Sequence, residues 1–431
     1  MNLVARPCRA LTGEVSIPGD KSCSHRALIL GAIADGKTRI RGLLESSDVL
    51  STIAALRALG VQIEKCGKGE WVVNGGQWST PADAVDCGNS GTSARLLIGA
   101  LSSMPGVSAT VTGDSSLSSR PMARLTGPLV QMGARIDGGD RLPLSVHGGR
   151  LGGIEHRNVP PSAQVKSAVL IAGLSTNAPV RIVEPVPSRD HTEIMLAAFG
   201  CPVSVDDTPG GWVITLGNQR RLLGCDLTIG ADPSSAAFPL VAAAIAPGSD
   251  VLVRGMLVNP LRTGLYETLE SMGADIELSN ERIQSGEIVA DIRLRYAPLR
   301  ACHVRADRIS AMIDEIPALS VACAFADGES VIEGLSELRV KESDRLGRIV
   351  AGLTACGVVA LADGDALRIF GRGRARGGAR ITTHGDHRIA MAFLMLGLGA
   401  SNPVEVDEAA MIATSFPDFT DTMRGIGADI E

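Results

Sequence analysis

The sequence predicts an α/β protein made of six copies of one unit, grouped three and three into two lobes. Three observations predict it. An Ala-rich apolar run, a turn with Gly or Pro, and a short β-branched run recur six times, at intervals of about 70 residues. About 25 residues after each turn, an amphipathic run ends in glycine, at Gly60, Gly133, Gly200, Gly273, Gly357 and Gly427, where a helix C-terminus favours a left-handed residue. Finally, 431 residues in six such units are too many for one small core.

The turns are Asp35-Gly36, Pro105-Gly106, Asn177-Ala178-Pro179, Pro247-Gly248, Asp327-Gly328 and Asn402-Pro403. The runs after them, TRIRG, SATVTG, VRIVEP, DVLVRG, SVIEGL and VEVDEA, carry the Val, Ile and Thr that suit strands. Further strands follow the capping glycines, as in VQIEK, ARIDG, CPVSV and ADIEL. Each unit therefore reads strand, helix, strand, helix, strand, strand. The sixth stops at GADIE, one strand short, and the N-terminal residues, including GEVSIP, are expected to complete the last units. The expected lobes are residues 20–230 (units 1–3) and residues 1–19 plus 231–431 (units 4–6), with a two-strand hinge near Asp20 and Gly230.

Composition narrows the function. Lys and Arg total 41 against 47 Asp and Glu, a net charge of −6, so an anionic ligand needs a local cationic cluster to overcome the overall field. That charge, with 3% aromatics, argues against nucleic-acid binding. The nine cysteines are odd in number and form no Cys-x-x-Cys pair, so neither a disulfide framework nor a metal site is expected and buried thiols are the default. MNLVARPCRALTGEV lacks a signal-peptide core, and the best apolar stretch, Ile389 to Ala400, is too short to span a bilayer. A cytoplasmic protein away from membranes is expected.

The chemistry gathers where the first helix of each unit begins: GDKSCSHRA, GNSGTSAR, PSAQVKS, GADPSSAA, MIDEIPA and HGDHRIA. Helix starts present unpaired N–H groups and the positive end of the macrodipole, so several of them with Lys or Arg suit a polyanion. Taken singly, each reads first as an ordinary helix capped by Ser, Asp or Asn. As a set, Lys21, Arg26, Arg120, Lys166, Arg189, Lys341, Arg345 and Arg388 all lie beside Ser, Gly, His or Asp at segment junctions. Lys341 and Arg345 share a face if RVKESDR is helical. His147, His156 and His303 read as surface or capping residues, and His384 and His387 as a helix start; Ser22 and Ser162 lack the His and Asp partners of a nucleophile.

PGDKSCSHRAL, GNSGTSAR, SLSSRPMAR, SAQVKSAVL, RDHTE, DPSSAAFPL, IDEIP, RVKESDRL, GDHRIAM and TSFPDF, in this order, resemble the 5-enolpyruvylshikimate-3-phosphate synthase family from about Leu11 to Phe419. The resemblance implies a two-lobed enolpyruvyl transferase fold, an inside-out α/β barrel with three repeats per lobe and helix starts directed into the cleft. It implies transfer of the enolpyruvyl group of phosphoenolpyruvate to the 5-hydroxyl of shikimate 3-phosphate, with loss of phosphate and without a cofactor. It further implies that Lys21, Ser22, Arg26, Ser162, Ala163, Gln164, Arg189, Asp314 and Lys341 meet shikimate 3-phosphate. Lys21, Gly91, Arg120, Gln164, Arg345 and Arg388 would surround phosphoenolpyruvate, and Asp314, Glu342 and Lys21 would move protons. For Asp314 and Glu342 the plain alternatives are a helix N-cap and an i,i+3 ion pair with Arg345. Thr414 stands where the more familiar branch of the family has lysine and Glu337 where it has asparagine; SLSSRPM and RVKESDR resemble the second branch. Glyphosate is the inhibitor the resemblance implies, because insensitive members often carry alanine at the position of Gly91. A monomer is expected. The sister transferase acting on UDP-N-acetylglucosamine would carry Lys-Asn in place of Lys21-Ser22 and a cysteine within 114–120, which this chain lacks. A non-catalytic anion-binding module is the other rival.

Overall fold

In the computed structural model, which describes residues 1–431, six helices are apolar on almost every side. Such helices are stable only when covered all round. They are the first helices of the six units, here α1 (Lys21–Ile33), α2 (Gly91–Ser102), α3 (Ala163–Ala172), α4 (Pro233–Ile245), α5 (Ile316–Phe325) and α6 (His387–Gly399). All residues of α4 and α5 are buried. α2 packs on α1 and α3, and α4, α5 and α6 pack on one another. Gly99 permits the tightest of these contacts, since a Cβ there would lie 2.6 Å from the Ala168 carbonyl oxygen.

Each unit contributes its own four-stranded sheet. In the second unit, Val85–Asp86 runs parallel to Ser108–Thr112, which pairs antiparallel with Leu144–His147, and that strand in turn with Arg135–Gly138. The other five sheets repeat this order. The expected unit is thus the observed one, and all six capping glycines have positive φ, between 80° and 100°.

The ends of the chain are shared out differently from the simple repeat. The strand missing from the sixth unit is Leu3–Arg6, which lies between Val404–Val406 and Asp429–Ile430. Thr12–Val15, within the segment just before α1, instead pairs parallel with Asp250–Leu257 and opens the fourth unit. The first unit takes its opening strand from Asp226–Thr228, parallel to Gly36–Arg41.

The chain divides into two compact units, Gly19–Ile229 with Gln284–Glu287, and Met1–Pro18 with Gly230–Ile283 and Ile288–Glu431. Gln284–Glu287, the turn between Asp275–Gln284 and Glu287–Arg295, packs with the first because Ser285 Oγ accepts from Thr228 N–H (2.8 Å) and His191 Nδ1 lies 2.6 Å from Glu287 Oε1. No helix is long and apolar enough to cross a membrane. Cys66 is exposed and Cys8, Cys225 and Cys302 are half-buried, so burial of every thiol is not observed; all nine are free.

Candidate functional site

In the compact unit Gly19–Ile229, the opening turns of α1, α2 and α3 are tied to one another. Asp20, Ser90 and Ser162 cap them, accepting from the backbone N–H of Cys23, Ser93 and Val165. His25 of α1 is buried beside Thr52 Oγ1 (2.8 Å) and Ser93 Oγ (3.4 Å), while Gln164 Nε2 of α3 donates to Thr92 Oγ1 of α2 at 2.8 Å. Burial, with Lys21 and Arg26 close by, holds the His25 imidazole well below the usual histidine range, so it stays neutral.

On this frame Lys21 pairs with Asp48. Arg26, 2% exposed, donates through Nε to Thr192 Oγ1 (2.7 Å), through Nη1 to the Ser22 carbonyl (3.0 Å) and through Nη2 to Ser167 Oγ (2.8 Å). Burial lowers its pKa, and Arg189 lies near enough to add to that effect. Arg120 Nη2 donates to Asn89 Oδ1 at 3.0 Å and Ser116 Oγ at 3.3 Å. Gly91, buried in the first turn of α2, lies against Arg120: a Cβ there would be 3.2 Å from Arg120 Nη1. Ser162, Ala163 and Gln164 are half-buried at the start of α3.

Lys166 corrects the sequence reading. Although it stands in the row of junction cations, it is fully buried, with Nζ 2.9 Å from Glu184 Oε2, 2.8 Å from Glu193 Oε1 and 3.0 Å from the Ser188 carbonyl. Its charge is consumed inside the protein. Glu184 also accepts from Asn158 Nδ2, which donates in turn to the Ser162 carbonyl at 3.1 Å, so the network braces the start of α3 and the segment before Arg189.

In the compact unit that includes Ile288–Glu431 the centre is Arg345, 1% exposed, with three carboxylates around it. Its Nε lies 2.8 Å from Asp386 Oδ2, its Nη1 3.6 Å from Asp314 Oδ1, and its Nη2 pairs with Glu342. Burial opposes the charge, yet Asp386, Glu342 and Asp314 together raise the guanidinium above its ordinary pKa. Arg388 Nη1 donates to the Asp314 carbonyl at 3.0 Å, and its Nη2 is 3.9 Å from Asp314 Oδ2. The i,i+3 pair of Glu342 with Arg345 is therefore present, whereas Asp314 does not cap α5 and instead faces two arginines. RVKESDR is not one helix: a 3-10 turn covers Ser336–Val340, and Asp344 caps a new helix that starts at Arg345. Lys341 and Arg345 accordingly do not share a helical face; Lys341 is half-buried next to Glu342.

Four residues that the sequence reading did not single out belong to these clusters: His25, Asp48, Asp386 and Glu184. Asp386 carried the clearest signal, in GDH at a helix start, where its two oxygens divide between capping α6 and holding Arg345 and Ser343. Chemically, one compact unit offers cations and helix starts that suit anions, and the other a buried arginine ringed by carboxylates.

Known proteins resemble the chain throughout. A 3-phosphoshikimate 1-carboxyvinyltransferase of Phenylobacterium zucineum is 52% identical, covering 100% of this chain and 96% of its own. The structure of EPSP synthase from Acinetobacter baumannii superposes with a TM-score of 0.88 at 42% identity, covering 100% and 99% of the two chains. The enolpyruvyl transferase NikO from Streptomyces tendae shares the fold, with a TM-score of 0.77 at 19% identity, covering 100% and 98%. With the EPSP synthase (3-phosphoshikimate 1-carboxyvinyltransferase) profile matching residues 5–423, the chain belongs to that family.

Proposed function

We infer that the two clusters divide the work of the family's reaction. The protein transfers the enolpyruvyl group of phosphoenolpyruvate to the 5-hydroxyl of shikimate 3-phosphate, releasing phosphate, in aromatic amino acid biosynthesis. Both substrates are anions with phosphates near −2 at pH 7, so fixed cations must offset their repulsion before the C–O bond forms. Lys21, Ser22, Arg26, Ser162, Ala163, Gln164, Arg189 and Lys341 hold shikimate 3-phosphate. Arg26 uses three N–H donors internally and keeps the rest of its fork for the ligand. Arg120, Arg345, Arg388, Lys21 and Gln164 hold phosphoenolpyruvate, with Gly91 letting backbone and ligand approach.

Addition needs a base at the 5-hydroxyl and an acid that protonates the methylene carbon; elimination returns that proton as phosphate leaves. We assign Asp314 as the base and Glu342 as the carbon acid, with Lys21 at the boundary of both substrates. The observation that carries this reading is the pair of carboxylates on one buried arginine, Asp314 and Glu342 on Arg345, with Arg388 on the far side of Asp314. We further propose that glyphosate competes at the phosphoenolpyruvate subsite and that the protein works as a cytoplasmic monomer, in line with its nine free thiols.

A coupled phosphate-release assay tests the reading. Phosphoenolpyruvate with shikimate 3-phosphate should release phosphate, and phosphoenolpyruvate with UDP-N-acetylglucosamine should not. Release with the second acceptor alone would transfer the protein to the sister activity, and none with either would leave a binding module.

A further inference from the structure

Away from these clusters, the fifth unit holds two thiols in contact. Cys302 immediately precedes the strand His303–Val304; its N–H donates to Ser330 Oγ at 3.2 Å and its carbonyl accepts from Val331 N–H at 2.9 Å. Cys323 lies in α5 and is wholly buried. Their sulfurs are 3.8 Å apart, and the buried Ser330 hydroxyl serves both. The two lie 21 positions apart in sequence, so no motif announces them.

We propose that Cys302 and Cys323 are a disulfide-forming pair, a modification site for hydroperoxides that ties α5 to the sheet of its own unit. The sulfurs need to close only from 3.8 Å to about 2.0 Å, a movement within reach of side-chain rotation. The two thiols are unequal in the way the chemistry requires. Cys302 is partly exposed, and hydrogen bonds from Cys323 and Ser330 to its sulfur hold its pKa below the ordinary thiol value despite burial. Cys323 is pushed the other way by the same hydrogen bond and by burial, so it remains a protonated, sheltered partner.

With hydrogen peroxide the Cys302 thiolate attacks one oxygen, the O–O bond breaks, and a sulfenic acid forms as the departing hydroxide takes up a proton to become water. The Cys323 sulfur then attacks the sulfenic sulfur; the S–S bond forms, the S–O bond breaks, and the hydroxide leaves with the Cys323 proton as a second water. Two thiols are oxidised by two electrons and one peroxide is reduced.

The test is peroxide treatment of the full-length protein, alkylation under denaturing conditions and tryptic mass mapping. Peptides Ala301–Arg305 and Ile309–Arg339 should appear joined, 2 Da lighter than their sum, and dithiothreitol should separate them. Free thiols should fall from nine by two. Cys66→Ser should oxidise like the wild type, since the exposed Cys66 lies outside the pair, whereas Cys302→Ser and Cys323→Ala should form no link. Unjoined peptides with oxidation only at Cys66, or Cys302 or Cys323 found joined to a different cysteine, would overturn the proposal.

Discussion

Replacing Gly91 by alanine adds one methyl group at the point where α2 begins. The structure shows what it would meet: Arg95 Nη1 at 2.6 Å, Arg120 Nη1 at 3.2 Å and a Leu117 methyl at 3.7 Å. Its φ lies outside the left-handed region, and alanine suits a helix better than glycine, so the backbone raises no objection. The methyl therefore acts by displacing two guanidinium ends. Overpacking of this kind costs about 1–3 kcal/mol, part of it offset because arginine ends can move. What moves includes Arg120, and a hydrogen bond to a charged group is worth about 1.5–3 kcal/mol. Glyphosate is longer than phosphoenolpyruvate and, in the subsite proposed above, should feel the methyl more, so we expect its Ki to rise at least about tenfold, equivalent to about 1.4 kcal/mol, with a smaller rise in the KM for phosphoenolpyruvate. Steady-state Ki and KM for Gly91→Ala, a melting curve, and the double variant with Arg120→Ala make the assay. The double variant should be non-additive, because the methyl works through the arginine. Equal losses for both ligands, a collapsed melting temperature, or strict additivity with Arg120→Ala would refute this reasoning.

Other outcomes follow from the same geometry. Asp314→Asn should keep shikimate 3-phosphate binding, measured by calorimetry, while turnover falls by about 100-fold or more; near-normal turnover would remove Asp314 as the base. Lys21→Met should weaken both substrates and lower the melting temperature by leaving Asp48 unpaired, so normal binding of either ligand would count against its boundary role. Lys166→Met leaves Glu184 and Glu193 without their cation and should cost about 3–5 kcal/mol in a urea titration, a loss a solvent-facing lysine would not show. His25 has a folded-state pKa well below 6.5, so the unfolded chain binds the extra proton: its contribution is complete above about pH 6.5 and declines as pH falls below that. His25→Asn should therefore flatten the loss of stability as pH falls below about 6.5, read from unfolding curves across that range.

The repeat was legible because its signals are local. A glycine after an amphipathic run, or a Pro-Gly turn before a β-branched run, is decided within a few residues, and all six capping glycines adopt positive φ. Strand exchange was legible only in outline: the N-terminal residues were expected to complete the last units, but which sheet each of Thr12–Val15, Leu3–Arg6 and Asp226–Thr228 joins depends on partners far away in sequence. The same limit applies to side chains. Lys166 and Arg120 look alike in sequence, both basic and both beside serine. Glu184 and Glu193, brought from a strand and a second helix, turn Lys166 inward, while Arg120 stays half-buried. Asp386 gave a partial signal, since an aspartate at a helix start reads as a cap until its second oxygen is seen on a cation, whereas nothing local marked Asp48 as the partner of Lys21.

The six helix starts carry one departure from their own rule, and it falls at a carboxylate to which we assign proton transfer. Asp20, Ser90, Ser162, Asp232 and Asp386 each cap their helix through a side-chain oxygen. At α5 no side chain caps: Glu315 turns to Ser234 and Asp314 turns to Arg345 and Arg388. Pro317 in the first turn softens the loss, because it has no N–H to satisfy. An uncapped start costs about 1 kcal/mol, and a sequence under selection for stability alone would place Ser, Thr or Asn one residue before Ile316. A start that instead sends both of its carboxylates elsewhere, one of them to a pair of arginines, breaks the local rule at the residue we propose as the base. Departures of that kind are where local sequence rules are expected to give way to chemistry.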